Sequence, residues 1–256
     1  MKFQTRISKM NTADEKNPMH EIRGKSLSSL IEKKTFSETV FFLLSGREAK
    51  KSEAVLFDKM LLSVIDHGMG TTSSMTSRFV ASGGNSLHVA VAGGVLSVGN
   101  YHGGAVEKAM QQFYAWKNMN ESELKEELIR KVTKKETIYG FGHKVYKLGD
   151  PRVEVLLNES AKLEFESKFL YLKDLVEDAF SQVKGKNIHI NIDGLLAIFL
   201  CDFNFDHVLG KGIFLIGRVP GLIAQSHEEM THEKPVRRVP EERIELINRN
   251  NTALLR

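Results

Sequence analysis

The run GFGHKVYKLGDPR spans residues 140–152 and carries the most specific pattern in this chain of 256 residues. Gly140 and Gly142 let backbone amides approach a ligand closely, because glycine has no side chain and accepts conformations that other residues avoid. His143 titrates near neutral pH, and Arg152 offers a planar fork of donors that fits a carboxylate. The run therefore predicts a site for a small anionic substrate.

On both sides of this run, apolar residues recur mainly at helical spacing. Helix and turn are predicted for 24–46, with Thr35 and Glu38 as a capping box and Gly46 ending the helix. Amphipathic helices are predicted for 52–66 and 121–134. One longer helix is predicted after the Asp-Pro-Arg turn, from a single stripe made of Phe165, Phe169, Leu172, Val176, Phe180 and Val183.

The rest of the pattern also favours helices. The segment 71–104 is rich in Ser, Thr, Ala and Gly, which allows helices to pack closely, and 212–230 predicts an apolar helix or helix pair. Two prolines keep 234–240 from being regular helix throughout. The best strand pattern, over 188–192, is too short to anchor a sheet. The sequence predicts an all-α protein.

Composition excludes several classes of protein. The net charge of +4 comes from scattered basic residues, which argues against a nucleic-acid-binding protein. Cys201 is the single cysteine, lies in an apolar run and is predicted to be a buried thiol in a reducing compartment. No stretch predicts a signal peptide or a membrane span. We therefore expect a cytoplasmic protein without a membrane partner.

Four segments place an ionisable residue beside glycine: Asp66–Gly68, Tyr101–Gly104, 140–152 and Asn191–Gly194. Each has an ordinary alternative, since a lone histidine is more often a hydrogen-bonded buried side chain, and Asp-Gly is a common turn or helix-cap signal. The histidines at positions 67, 102 and 143 lack the His-Glu-x-x-His spacing or partnering cysteines of a zinc site, so no metal is expected.

Taken in order, these segments resemble the citrate synthase family, and the match runs from about Arg23 to Pro240. The run at 140–152 resembles the most specific signature of that family, and Tyr101-His-Gly-Gly-Ala105 resembles its His-Gly-Gly-Ala element. The resemblance implies a large helical domain, 1–104 plus 205–256, and a smaller inserted helical domain, 105–204. The active site would lie in the cleft, and the protein would be a homodimer or a higher homo-oligomer.

The resemblance also implies roles for individual residues. Asp193 would remove a proton from the methyl group of acetyl-CoA, His102 would donate a hydrogen bond to the enolate oxygen, and His143 would protonate the oxaloacetate carbonyl. The substrate-binding residues would be His67, Arg152, Arg218 and Arg237, with Arg238 as the alternative to Arg237 for reaching a neighbouring site. The residues that would bind coenzyme A are Tyr139, Gly140, Phe141, Gly142 and Lys147. No cofactor is implied beyond the coenzyme A of the substrate.

The direction of the reaction stays open at this stage. Gln225 stands where relatives commonly have His, which is a departure from the family pattern in the cleft. The chain is shorter than full-length citrate synthases, mainly before Arg23, and this compactness together with the intact four-part site favours citryl-CoA lyase. Against this, His102 is retained, whereas the related module of ATP-citrate lyase has an aromatic residue there. Citrate or 2-methylcitrate synthase is the alternative, and a non-catalytic acyl-CoA-binding subunit is a third hypothesis. The partners are acyl-CoA and oxaloacetate or citrate in the first two hypotheses.

Overall fold

A computed structural model describes residues 2–14, 18–143 and 145–246, and its architecture confirms the all-α prediction. The helices are α1 Leu27–Lys33, α2 Phe36–Ser45, α3 Lys51–Ser63, α4 Thr72–Ser82, α5 Leu87–Leu96, α6 Ala105–Trp116, α7 Glu121–Thr133, α8 Pro151–Lys162, α9 Tyr171–Lys184, α10 Ile192–Asp202 and α11 Leu209–His232. Strands β1 Ser8–Asn11, β2 Met19–Ile22 and β3 Lys25–Ser26 form an antiparallel sheet in that order. None of the described helices has the length and apolarity that a membrane span requires.

Helix starts and stops follow the sequence signals closely. The amide of Glu38 donates to Thr35 Oγ1 over 3.2 Å while Glu38 Oε2 accepts from the Thr35 amide over 2.9 Å, so the predicted capping box at the start of α2 is confirmed. Gly46 ends α2 with φ +79°, a left-handed conformation that favours glycine. The predicted helices over 52–66 and 121–134 are observed as α3 and α7.

The single long helix predicted after the Asp-Pro-Arg turn is wrong, because two helices, α8 and α9, occupy that region. Phe165 and Phe169 lie in the connection, where Phe165 packs edge-on against Phe199 with ring centroids 5.9 Å apart. Asp202 accepts a hydrogen bond from the Lys168 amide over 2.7 Å and holds the connection. These contacts hold Phe165 and Phe169 outside a helix, although the spacing of the apolar residues fits one.

The chain forms two compact units, one from Met1–His67 and Val98–Pro220 and the other from Gly68–Ser97 and Gly221–Arg256. The first unit has a large apolar core in which α10 is almost completely buried. Phe41 packs edge-on against Phe57 and Phe205, with centroids 5.4 and 5.0 Å away. Cys201 is buried in this core, as predicted.

The second unit is built differently, from small residues and buried charges. A Cβ atom on Gly94 of α5 would lie 3.0 Å from the carbonyl oxygen of Ser73 and 3.1 Å from Ser77 Cβ, so α4 and α5 pack as closely as the small residues predicted. Arg78 is buried and paired with the buried Glu229 over 2.8 Å. The predicted division into domains 1–104 plus 205–256 and 105–204 stays a prediction.

Candidate active site

The start of α10 and the loop at 140–142 are tied together by Asn191. Its side chain caps α10 by accepting from the Gly194 amide over 3.1 Å, and its Nδ2 donates to the Gly142 carbonyl over 2.7 Å. Its amide donates to the Gly140 carbonyl over 2.9 Å. One asparagine therefore positions the first turn of α10, which holds Asp193, against the loop that leads to His143.

Gly140 in the loop and Gly194 in α10 permit this close approach. Gly140 has φ +86°, and a Cβ atom there would lie 2.5 Å from Gly194 Cα, a separation that side chains do not tolerate. The Gly140 position predicted to bind coenzyme A is thus also required for packing.

Asp193 occupies the first turn of α10, at the edge of the apolar core of the first unit. Burial raises the pKa of its carboxyl to about 6, although the cationic Arg152 and Arg218 oppose this rise. A carboxyl with such a pKa exchanges a proton readily near neutral pH, which suits an acid–base group.

The ring of His143 is held in one tautomer. Its Nδ1 accepts hydrogen bonds from the amides of Val145 and Tyr146 over 3.1 and 3.0 Å, so the proton of the neutral imidazole must be on Nε2. Burial lowers the pKa of His143, and the Arg152 charge adds to this while Asp150 opposes it. The neutral ring is therefore a hydrogen-bond donor through Nε2.

Asp150 connects the arginine of the signature run to α10. Its carboxylate accepts from Arg152 Nε over 2.9 Å and from Arg152 Nη2 over 2.7 Å, and also from the Ile192 amide over 3.2 Å. Burial would raise the pKa of Asp150, but these hydrogen bonds and the Arg152 charge lower it overall. Arg152 Nη1 has only a long contact of 3.5 Å with the Ser63 carbonyl, so this nitrogen can still donate to a ligand.

His67 and Tyr146 complete this side of the site. The rings of His67 and His143 meet edge-on with centroids 5.8 Å apart, and Tyr146 stacks on His143 with centroids 4.6 Å apart. Burial lowers the pKa of His67, and the positive charges of Arg152 and Arg218 lower it further. The neutral forms of both imidazoles are favoured.

His102 lies in a tight turn on the other side of the site. Its amide and carbonyl both pair with Gly99 over 3.0 Å. Gly103 follows with φ +74°, and a Cβ atom there would lie 2.5 Å from the ring of Phe214. Burial lowers the pKa of His102, and the charges of Arg218 and His67 lower it further. His102, Arg218 and His67 are therefore close enough to influence one another.

Arg218 is almost fully buried, with 2% of its surface exposed. Its Nε donates to the Val64 carbonyl over 2.7 Å, and its guanidinium lies 5.0 Å from the centroid of the Phe214 ring. Among the described residues, no hydrogen-bond partner reaches its buried Nη1. Because an unsatisfied buried donor is costly, this nitrogen indicates an anionic ligand.

The predicted coenzyme A residues divide into two groups. Gly142 and Lys147 line a cavity of about 220 Å³ together with His143 and Tyr146. Tyr139 and Phe141 instead pack against the apolar core, and Gly140 is buried against α10. The structure thus brings only two of the five side by side at a cavity.

Arg237 is in the second unit, where it is held by an ion pair. Its Nε and Nη2 donate to the two carboxylate oxygens of Glu229 over 2.8 and 2.6 Å, and Glu229 also pairs with Arg78. The neighbouring Arg238 is exposed. Which of the two arginines reaches a neighbouring site stays a prediction.

Three contributors were not predicted from the sequence: Asp150, Tyr146 and Phe214. Asp150 had a detectable signal, since Asp before Pro is typical of an N-cap followed by the first helical residue, and Asp150 caps α8. The two aromatic residues give no local signal, because their role depends on contacts across the fold. In the described part of the chain, no group of three or more metal-binding side chains comes together.

Comparison with known proteins places this site in a family. Residues 44–239 match the model of the C-terminal domain of citrate synthase. The chain is similar to citryl-CoA lyase from Hydrogenobacter thermophilus, with 37% identity, a TM-score of 0.87, and coverage of 96% of this chain and 94% of that one. It is also 31% identical over 206 residues to citrate synthase 2 of Bacillus subtilis, covering 78% of this chain and 54% of that protein.

A third relative is named as a 2-methylcitrate synthase. The 2-methylcitrate synthase of Shewanella oneidensis is 29% identical over 198 residues, covering 76% of this chain and 52% of that protein. The chain spans about half the length of the curated relatives it matches.

Proposed function

The chain belongs to the citrate synthase family, and from this premise we propose that it is a citryl-CoA lyase, which cleaves citryl-CoA into acetyl-CoA and oxaloacetate. One observation carries the proposal: the Hydrogenobacter thermophilus lyase aligns over 96% of this chain and 94% of its own. Its identity to this chain, 37%, is higher than the 31% of citrate synthase 2 of Bacillus subtilis. No cofactor beyond the coenzyme A of the substrate enters the proposal.

The acid–base groups of the site fit the proposed bond change. In the direction of condensation, Asp193 takes a proton from the acetyl-CoA methyl group, and the electron pair moves to the thioester oxygen, which accepts a hydrogen bond from His102. The carbon then attacks the oxaloacetate carbonyl, whose oxygen accepts a hydrogen bond from Nε2–H of His143 and takes that proton as a proton from solvent replaces it on the ring. Cleavage is the same sequence in reverse, with protonated Asp193 returning its proton to carbon. A pKa of about 6 lets Asp193 serve both directions.

The charges of the site fit a substrate with several carboxylates. Arg218 offers a buried Nη1 without a partner among the described residues, and Arg152 keeps an Nη1 that its ion pair with Asp150 does not use. Hydrogen bonds between charged groups are about twice as strong as neutral ones. In the proposal, these two nitrogens and His67 hold the dicarboxylate part of the substrate.

We also infer a homodimer. Apart from His88, helix α5 carries only apolar side chains and glycines, yet only Ala90 and Gly94 are buried. Val89, Ala92 and Leu96 form an exposed stripe, and Leu96 is 84% exposed. A helix that is apolar all round is normally buried, so a second copy of this helix is the occupant that we propose for the stripe. The cytoplasmic location stays a prediction.

Citrate synthase or 2-methylcitrate synthase is the second candidate. The intact Tyr101–Gly104 element with His102 favours it, and so do the curated relatives. The two candidates share every acid–base residue and differ in whether the thioester of citryl-CoA is hydrolysed.

An assay with two substrate mixtures separates the candidates. The purified protein with citryl-CoA is expected to release oxaloacetate and acetyl-CoA in equal amounts, with no free thiol. With acetyl-CoA and oxaloacetate, free coenzyme A is not expected to accumulate. Thiol release in the second mixture would identify a synthase, and binding of citryl-CoA without cleavage would contradict both candidates.

A further inference from the structure

We infer that Tyr146 is a positioning residue that orients the imidazole of His143 and the guanidinium of Arg152. The inference rests on the proposed function for its consequence in catalysis, but its geometry stands independently. Tyr146 is the one described residue whose ring contacts His143, His67 and Arg152 together.

The contacts of the Tyr146 ring differ in kind. Its plane lies 25° from that of the His143 imidazole, with centroids 4.6 Å apart, which is a stacked pair. It meets His67 at 68° with centroids 6.2 Å apart, and the Arg152 guanidinium lies 5.7 Å from its centroid. Stacked aromatic pairs and cations near an aromatic face are both favourable arrangements. One side chain therefore contacts an acid–base residue and a carboxylate-binding residue at once.

The backbone alone does not fix the His143 ring. The amides of Val145 and Tyr146 determine which ring nitrogen accepts, but they hold a single atom, Nδ1, and leave the plane of the imidazole able to turn about it. A flat contact over the face of the ring removes this freedom. Tyr146 supplies both restraints, one through its amide and one through its side chain.

The surrounding loop gives His143 little other support. Val145 is 70% exposed and Leu148 is 97% exposed, so neither side chain packs over the imidazole. Gly149 has φ +126°, and no atom lies within 4 Å of where its Cβ would be. Among the described residues, the rings of His67 and Tyr146 contact the imidazole, and Tyr146 is the one that stacks on its face.

Misplacement of a catalytic group by about 1 Å can lower turnover by about 100-fold. The substitution Tyr146→Leu keeps apolar bulk and removes the aromatic face, so kcat for citryl-CoA cleavage is expected to fall by about 10- to 100-fold. Tyr146→Phe keeps the face and is expected to restore kcat to within about threefold of the parent. Tyr171→Leu, at an exposed tyrosine that begins α9, is the control for loss of any tyrosine.

A spectroscopic measurement separates this inference from the proposed function. In protein with ¹⁵N-labelled histidine, the signals of His143, assigned from an His143→Gln spectrum, are expected to show the neutral Nε2–H tautomer. Tyr146→Phe is expected to keep these signals. Tyr146→Leu keeps both amides but removes the stacked ring, so the imidazole can turn away from the amides and the signals are expected to shift toward an average of both tautomers.

The outcomes are distinct. If the parent cleaves no citryl-CoA but Tyr146→Leu changes the His143 signals, the proposed function is wrong and the positioning role stands. If the His143 signals in Tyr146→Leu equal those of the parent, or if Tyr146→Phe loses as much kcat as Tyr146→Leu, the positioning role is wrong.

Discussion

Helices α10 and α5 are both strongly apolar, but their surroundings are opposite. Nine of the eleven residues of α10 are buried in the first unit, whereas two of the ten residues of α5 are buried in the second. Leu200 of α10 is completely buried, and Leu96 of α5 is 84% exposed. An apolar helix thus indicates a packing partner. The helix alone does not show whether that partner belongs to the same chain or to another copy.

The difference has a chemical consequence at Asp193. Because α10 is surrounded by its own core, the first turn holds a carboxyl whose pKa burial raises to about 6. Helix α5 carries no acidic or basic side chain apart from His88, as a surface meant for another apolar surface requires. Burial of α10 within its unit raises the pKa of an acid–base group. The exposed apolar side chains of α5 form a surface that can associate with another one.

The largest effect is expected from Asp193→Asn. If α10 presents the acid–base group of the reaction, the amide cannot exchange the proton, and turnover should fall by about 10²- to 10⁴-fold. The rate of citryl-CoA cleavage measures this turnover, and the dissociation constant of citryl-CoA, measured by calorimetry, should change little. Turnover close to that of the parent would remove Asp193 from catalysis.

Truncating one leucine in each helix compares their burial directly. Leu200→Ala should lower the free energy of unfolding by about 2–5 kcal/mol, because it leaves a cavity in a packed core. Leu96→Ala should cost less than about 0.5 kcal/mol in dilute protein, where α5 is exposed. Urea unfolding at several protein concentrations measures both. A large cost for Leu96→Ala that does not depend on concentration would show that α5 is covered within its own chain.

The sequence predicts most of the helices and much of the site because these depend on local chemistry. The capping box at Thr35 and the end of α2 at Gly46 are both satisfied by neighbours within four residues. The family resemblance predicts roles for Asp193 and His143. In the structure, hydrogen bonds of Asn191 connect the two segments that contain these residues.

What the sequence could not provide depends on contacts between distant residues. The stripe through Phe165 and Phe169 fits one helix, but Asp202 and Phe199, more than 30 residues away, hold it in a connection. Tyr146 is three residues from His143, yet its contact with His67 requires the folded chain. Periodicity describes one segment at a time and carries no information about which segments meet.

A charge placed on the exposed stripe tests whether α5 meets a second copy. Val89→Asp puts a carboxylate where the proposed interface is apolar, so the dimer dissociation constant should rise by at least about tenfold. Sedimentation velocity over a range of concentrations measures it. Val155→Asp, at an exposed valine of α8, is the matched control and should leave the mass unchanged. A parent protein that is monomeric at all concentrations would contradict the dimer.

The last expected effect concerns stability and pH. The pKa of Asp193 is raised from an ordinary 3.8 to about 6, so the folded state binds its proton more tightly than the unfolded state. Above pH 6 the ionised carboxylate therefore destabilises the fold, and this cost disappears as the pH falls below about 4. Asp193→Asn should thus be more stable than the parent by about 1–3 kcal/mol at pH 8, and the two should be equally stable near pH 3.5. Asp178→Asn, at an exposed carboxylate of α9, is the control.

A gain in stability for Asp193→Asn that is the same at both pH values would come from packing alone. The carboxyl of Asp193 would then lack a raised pKa, and burial of α10 would have no effect on its acid–base group.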